Sequence, residues 1–383
     1  MNWFKELIIW FFKHLFFLFP INNKKVFFSN FNGKSFGDNP KYIFNELYKL
    51  HPDWKLIWWI NDKNSPSPSH VKRVRNRISA IFHLSTSKVI VTNVKNLLPF
   101  IKKKKQFYLQ TWHSALTYKP VEKDAEEYLN KQYVTESQKE SKLTDAVIAD
   151  NSLQVSKFNR CFYYNENTKI LEFGTPKNDI YHNYTENDVI EFKKAIGVNP
   201  NSKLVVYAPT FRDNGDTSIY NLDFKAIVNA FNSNDKQDWV LLIRLHPNVV
   251  FNIDIRDNNI VNVSKFPDPQ QIWIASDVII SDYSGVPFDF IEMNKPVFFY
   301  FPDYSDKIRL YKEFFDLGFD VARSEKELLD NIEHFNLNNY LKIVHEFNDK
   351  IKHYNNGSAS LSAAKYIEEI CLNKNWRSKN VRY

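Results

Sequence analysis

Cysteine is nearly missing from this chain. The two present, Cys161 and Cys371, stand far apart with no second metal-ligating side chain beside either. That argues against a disulfide framework and against a thiolate zinc site, and it fits a reducing compartment. Glycine is scarce as well, at eight residues. Neither GxGxxG nor GxxxxGK followed by Ser or Thr occurs, so any phosphate site must work without a glycine-rich loop. Long apolar runs are missing too. The longest near the amino terminus, Leu7 to Phe12, falls far short of the ~20 residues that cross a bilayer. No small-residue cleavage site follows it, which makes a secretory leader a poor reading. No acidic cluster calls for a dedicated metal site, so no tightly bound cofactor is expected and a divalent-ion requirement stays open.

What is present is basic and aromatic. The formal charge is +7, and 25% of the residues are charged, which is a water-facing surface biased toward anionic partners: nucleic acid, acidic lipid or phosphorylated substrates. At 383 residues the length allows two domains, each with its own core. The opening stretch NWFKELIIWFFKHLFFLFP is dense in Phe, Trp, Leu and Ile. Lys5, Glu6, Lys13 and His14 interrupt it and fall within roughly half of a helical wheel. This reads as an amphipathic helix over residues 1–20 lying in a membrane interface and ended by Pro20, or else as a helix docked on the protein's own core. Two basic clusters, Val71 to Arg77 and Ile101 to Lys105, face anionic lipid in the first reading and are solvated faces in the second.

Short apolar runs rich in β-branched and aromatic residues alternate with helical segments, the pattern of parallel sheets with crossover helices. Strands are expected at KKVFFSN, KLIWWIN, SKVIVTN, QFYLQTW, AVIAD and KILEFG. A second series comprises KLVVYAP, WVLLIRLHP, NIVNVS, DVIISDYS and PVFFYFPD. Helices fall between them, as at Pro40 to Leu50 and Glu136 to Lys142, and the tail from Glu325 to Cys371 is mostly helical. A polar, turn-rich stretch from Gly174 to Ser202 separates the series. The expected fold is therefore α/β, two doubly wound Rossmann-like domains at residues 21–190 and 191–383 facing a central cleft.

Polar groups suited to phosphate and proton chemistry collect where these strands end. Trp112-His113-Ser114 follows one strand, Thr210-Phe211-Arg212-Asp213 another, Arg244-Leu245-His246-Pro247 a third and Asp282-Tyr283-Ser284-Gly285 a fourth. Ser284 and Gly285 open a helix, where unpaired N–H groups favour an anion, although a plain N-cap by Asp282 or Ser284 fits as well. Arg244 and His246, two apart on an extended segment, face the same way and suit a diphosphate; an arginine bonded to carboxylate and a histidine bonded to backbone is the structural alternative.

The chain resembles the CDP-glycerol glycerophosphotransferase family, the teichoic-acid and capsule polyol-phosphate transferases of GT-B-like fold. The segments that carry the resemblance run in order from about Lys25 to about Leu317: FFSNFNGKSFGDNPKYIF, STSKVIVTN, QTWHSALTYK, FGTPKND, YAPTFRDN, RLHP and SDYSGVPFDF with NKPVFFY. The resemblance implies that an acceptor hydroxyl attacks the β-phosphorus of a CDP-activated polyol and that CMP leaves. It makes His113 the general base and His246 the second catalytic histidine. It places Arg212, Arg244, Ser284 and Gly285 on the donor phosphates, Asp289, Gln270 and Gln271 at the nucleoside, and Trp112, Ser114, Lys119 and Asp179 on the acceptor side. It also implies peripheral attachment to the cytoplasmic face of the membrane, with a lipid-linked or glycan acceptor. Oligomeric state stays open.

After the histidine the family pattern is Gly-Thr-Pro-Leu-Lys, whereas this chain has Ser114 to Tyr118 and then Lys119. Serine for glycine narrows the backbone's options if a positive φ is needed there, so an altered acceptor beside a retained CDP donor is expected. A nucleotide-sugar glycosyltransferase and a catalytically silent nucleotide-binding partner remain alternatives on the same scaffold. Nucleic-acid binding is the poorest reading, because no nucleic-acid motif accompanies the basic clusters.

Overall fold

Buried strands of a parallel sheet are covered on both faces, so they read as continuous apolar runs instead of alternating ones. Val26, Phe27 and Phe28, or Leu241, Leu242 and Ile243, show the consequence: all six are buried. The computed structural model describes residues 2–95, 98–212, 217–246, 249, 257–304, 310–311 and 318–373. Asp213 and Pro247 lie outside the described residues.

The first sheet holds β1 (Asn22–Ser29), β2 (Lys55–Trp59), β3 (Lys72–Val74), β4 (Ser87–Thr92), β5 (Phe107–Gln110), β6 (Ala146–Ile148) and β7 (Lys169–Leu171), in the order β3-β2-β1-β4-β5-β6-β7. The second holds β8 (Lys203–Ala208), β9 (Trp239–Ile243), β10 (Ile260–Asn262), β11 (Val278–Ser281), β12 (Val297–Tyr300) and β13 (Val321–Ala322), in the order β10-β9-β8-β11-β12-β13. Every strand pairing is parallel. Each sheet therefore has one switch point, between β1 and β4 in the first and between β8 and β11 in the second. Outside the carboxyl ends at such a point is where open α/β sheets bind ligands. All eleven strands expected from sequence form; β3 and β13 are two or three residues long and carry no run to read.

The helices, in chain order, are α1 (Asn2–Phe17), α2 (Asp38–Leu50), α3 (Arg77–Thr86), α4 (Lys131–Ser141), α5 (Ser152–Cys161), α6 (Ile180–Asn183), α7 (Glu186–Ala195), α8 (Phe224–Asp235), α9 (Pro269–Ala275), α10 (Val286–Glu292), α11 (Glu325–Glu333), α12 (Leu337–Ile351) and α13 (Ala359–Leu372). Their starts follow local chemistry. Asn76, Asn130, Asn151, Asp223, Asp268, Ser324 and Asn336 each accept a bond from the first turn of the helix they cap, and Thr185 with Asp188 closes a capping box on α7. With glycine scarce, Lys236 and Lys352 take the left-handed ends of α8 and α12, at about 1–2 kcal/mol each.

Two compact units result. One comprises residues 1–115, 121–179 and 353 onward; the other comprises 116–120 and 180–352. The boundary falls at Asp179/Ile180 and not at 190/191, and the carboxyl-terminal helix leaves the second unit. Ala363, Ala364, Tyr366, Ile367, Ile370 and Cys371 of α13 join the core of unit 1 with Ile43, Phe44 and Leu47 of α2. The returning chain passes over Gly174 (φ +89°), where a Cβ would stand 2.6 Å from the Asn355 Cα.

Helix α1 packs Phe16 against Phe82 of α3, and Ile9 and Phe16 lie against the unit 1 core. Trp3, Trp10, Phe11 and Leu18 are exposed. The helix is thus docked along one side and apolar along another. The lysine block is only partly a solvated face. Lys102 pairs with Asp145, and Lys103 donates to the Phe16 and Ser85 carbonyls, leaving Lys104 and Lys105 exposed. Among the described residues no helix is long and apolar enough to cross a membrane.

Candidate active site

In unit 1 the chain leaves β5 through Trp112, whose φ of 52° is left-handed. Trp112 turns into the core, edge-on to Phe162 at 4.8 Å, with the His113 ring 4.5 Å from its own. The Nδ1 of His113 lies 3.1 Å from the Asn93 carbonyl. A carbonyl only accepts, so Nδ1 carries the proton in the neutral ring and Nε2 keeps its lone pair. Burial holds the ring's pKa below the usual histidine value and Lys177 adds to that, opposed by Asp38, the Asn93 bond and Glu122. A neutral imidazole with a free Nε2 is the form a general base needs.

Ser114 is not left-handed. The steric argument for an altered acceptor at that position therefore falls away; the left-handed residue is Trp112, two positions earlier. The Ser114 carbonyl accepts from Gln154 at 2.8 Å. Trp112 is a core residue, packed with Phe158 and Phe162. Asp179 is also structural: its carboxylate accepts from the Ala359 N–H at 2.9 Å and the Ser360 N–H at 2.7 Å, capping α13. Lys119 is exposed and belongs with unit 2.

In unit 2 the two arginines differ sharply. Arg212 is buried and forked onto Asp303 at 2.7 and 3.1 Å, with Asp282 at 2.8 Å. Burial works against its charge, but the two carboxylates prevail and raise its pKa. Its charge is already matched, so it is not a free phosphate ligand in this state. Arg244 has no such partner among the described residues. Its Nη1 donates to the Val263 and Phe266 carbonyls at 2.9 and 3.1 Å, and its guanidinium lies 6.0 Å from the Trp273 ring centroid. Burial lowers its pKa to about 10, still charged at neutral pH. Among the described residues this half-buried cation bonds main-chain carbonyls and has Asp268 as a through-space counter-charge, which leaves hydrogen-bonding capacity for an anion.

His246 is exposed, its ring 5.6 Å from that of Phe211. The Ser284 hydroxyl accepts from the Val286 N–H at 3.2 Å, but the N-cap of α10 is Gly285, with an ordinary helical φ of −78° and no side-chain capping bond. Asp289 is buried in α10. Gln270 is buried and donates to the Tyr181 hydroxyl at 2.7 Å, whereas Gln271 is exposed. Asp282, expected as a cap, instead accepts from the Thr210 N–H and hydroxyl at 2.9 and 3.0 Å.

Sequence reasoning passed over Asp38, Asn39, Asn93, Lys177 and Asp303. The first four sit inside segments already singled out, where an asparagine or aspartate closing a buried strand or opening a helix is the available signal. Asp303 had none.

The profile of the family described as CDP-Glycerol:Poly(glycerophosphate) glycerophosphotransferase matches residues 11–369. The chain is 30% identical over 310 residues to a teichoic acid poly(glycerol phosphate) polymerase of Bacillus spizizenii, covering 76% of this chain and 78% of that one. It is 28% identical over 364 residues to the polymerase of the same description from Bacillus subtilis, covering 89% of this chain but 48% of the relative, about half its length. Among solved structures, the wall teichoic acid polymerase TagF, in a variant soaked with CDPG, superposes with a TM-score of 0.81 at 25% identity, covering 94% of this chain and 93% of that one.

Proposed function

Since the chain belongs to the CDP-glycerol:poly(glycerophosphate) glycerophosphotransferase family, we propose that it transfers glycerol phosphate from CDP-glycerol to a hydroxyl of a lipid-linked or glycan acceptor in teichoic-acid synthesis. Glycerol is preferred over ribitol because the glycerol phosphate relatives are the more similar, at 26–31% identity against 23–24% for the ribitol phosphate polymerase and primase that also match.

In this reading His113 Nε2 takes the proton of the acceptor hydroxyl. The hydroxyl oxygen bonds to the β-phosphorus, the bond from that phosphorus to the bridging oxygen breaks, and CMP leaves with the electron pair. Alignment and charge stabilisation dominate such a displacement. Arg244 meets the negative charge of the diphosphate, and His246 serves as the second histidine beside it. Ser284 and Gly285 sit at the phosphates, while Asp289 and Gln271 remain candidates for the nucleoside. Arg212 acts indirectly, by holding Asp282, Asp303 and Thr210 in place. Lys119 and Ser114 remain on the acceptor side. The observation that carries the donor assignment is the Arg244 guanidinium, which bonds main-chain carbonyls instead of being forked onto carboxylates as Arg212 is, with Asp268 supporting its charge only through space.

The exposed apolar side of α1, with Lys104 and Lys105 exposed nearby in sequence to the anchoring Lys103, supports peripheral attachment to an anionic membrane.

The test is CMP release from CDP-glycerol, with and without a lipid-linked acceptor. Acceptor-dependent CMP release is the expected result; no turnover of CDP-glycerol or any other CDP-polyol would overturn the reading.

A further inference from the structure

We infer that Asp38, Asn93 and Lys177 form a positioning frame that fixes the His113 ring in its loop, with Asp38 and Lys177 as opposed charges within it. This rests on the reading of His113 as the base.

The frame is assembled at the switch point of the first sheet, from four separate stretches of chain. Asn93, fully buried at the end of β4, donates from Nδ2 to Asn30 Oδ1 at 2.7 Å and to Asp38 Oδ1 at 3.1 Å. Its own Oδ1 accepts from the Phe31 N–H at 2.9 Å, and its carbonyl holds His113 Nδ1. Lys177 Nζ donates to the His113 carbonyl at 2.9 Å and to Asp38 Oδ2 at 3.3 Å. Asn39 closes the ring: its Nδ2 donates to the Trp112 carbonyl at 2.9 Å and its Oδ1 accepts from the Lys177 N–H at 3.0 Å. Ring and main chain of His113 are thus held by the same few groups.

Backbone strain concentrates in the same place. Phe31, Asn32, Asp38 and Trp112 are left-handed, with φ of 40°, 55°, 54° and 52°. Strain of this kind persists only where surrounding contacts over-determine it, and here those contacts converge on one histidine. An ordinary core histidine needs one hydrogen bond and none of this.

The charges facing the ring are Asp38 from α2, Lys177 from the turn Pro176–Asp179, and Glu122, itself paired with Lys95 at 2.8 Å; Phe31 and Trp112 supply neighbouring rings. Asp38 favours the protonated ring and Lys177 disfavours it. Removing either shifts the balance in a known direction. The base acts when unprotonated, so activity falls on the acid side as His113 takes up a proton. Asp38→Asn lowers the proton affinity of the ring and moves that acid limb to lower pH. Lys177→Met raises it and moves the limb to higher pH, each by about half a unit or more. Asparagine tolerates the left-handed backbone at 38 and keeps a carbonyl for the Asn39 and Asn93 donors, so Asp38→Asn retains the backbone turn while its NH2 replaces the acceptor of Lys177.

The experiment measures kcat and KM for CDP-glycerol from pH 5 to 9 in the wild-type protein, Asp38→Asn, Lys177→Met, Lys177→Arg and His113→Asn, with thermal midpoints for each. Expected are opposite displacements of the acid limb in Asp38→Asn and Lys177→Met and a kcat loss of about tenfold or more in each. The donor KM should be unchanged, with partial rescue by Lys177→Arg. Unmoved limbs in folded variants, with His113→Asn inactive, overturn the frame while leaving the base intact. Activity retained by His113→Asn overturns the base and the frame together. If one variant unfolds, the other alone carries the direction test.

Discussion

At the scale of single residues, the two arginines make the sharpest contrast. Arg212 and Arg244 both follow buried strands, and sequence gave them the same task. Their partners separate them. Replacing Arg212 by Met leaves Asp282, 2% exposed, without its counter-charge. We expect a stability loss of about 3–5 kcal/mol by chemical denaturation. Arg244→Gln should leave stability nearly intact and raise the donor KM roughly tenfold to a hundredfold, the worth of a charged hydrogen bond. His113→Ala should lower kcat by about 10²–10⁴ with an unchanged thermal midpoint. Because burial holds the His113 pKa below its ordinary 6.5, the ring is unprotonated at neutral pH. The acid limb of kcat should lie below pH 6.5, and a limb above that value would refute the assignment.

Among the elements, α13 and α1 show how little a helix's own sequence says about where it docks. The periodic apolar face of α13 predicts burial, but its partner is α2, more than 300 positions away in the chain. Asp179 fixes the start of that helix. Asp179→Ala removes both acceptors for the Ala359 and Ser360 N–H groups, and we expect about 1–2 kcal/mol of lost stability by urea denaturation, with donor KM unchanged. Helix α1 has two apolar sides, one resting on Phe82 and one exposed. Replacing Trp3, Trp10 and Phe11 by Ser should abolish flotation with anionic vesicles and leave the thermal midpoint within a degree or two. A large drop in midpoint would mean that those rings pack on the protein.

For the whole molecule the decisive feature is the path of the chain. It passes from unit 1 to unit 2 at Ile180 and returns at His353. The return is fastened where His353 Nδ1 meets Asp150 Oδ2 at 3.0 Å and the Tyr354 N–H meets the Asp150 carbonyl at 2.7 Å. Burial alone would raise the Asp150 pKa, but the bond and charge of His353 bring it below its ordinary 3.8. A carboxylate with a lowered folded pKa contributes stability that is present above 3.8 and lost as pH falls through the folded value. His353→Ala removes the bond and the charge, leaving the raising effect of burial opposed only by the Asn151 and Thr175 bonds. The acid side of the stability profile should then move to higher pH, readable as the thermal midpoint between pH 3 and 6.

Much was legible beforehand, for a physical reason. Strands buried on both faces are continuous apolar runs, helix caps are Asn, Asp, Ser or Thr at fixed offsets, and in a parallel sheet every strand delivers its carboxyl end to the same edge. Local chemistry therefore placed eleven strands and put His113, Arg212, Arg244 and Ser284 at strand ends. Partner choice was not legible. Whether an arginine meets carboxylates or carbonyls, whether Asp179 caps a helix 180 positions on, and whether Trp112 or Ser114 turns left-handed depend on groups brought together by long-range packing. The sequence by itself determined the elements and the inventory of chemical groups. Only the tertiary structure decided which groups have their charge already matched, because electrostatic compensation depends on distances that no spacing along the chain encodes.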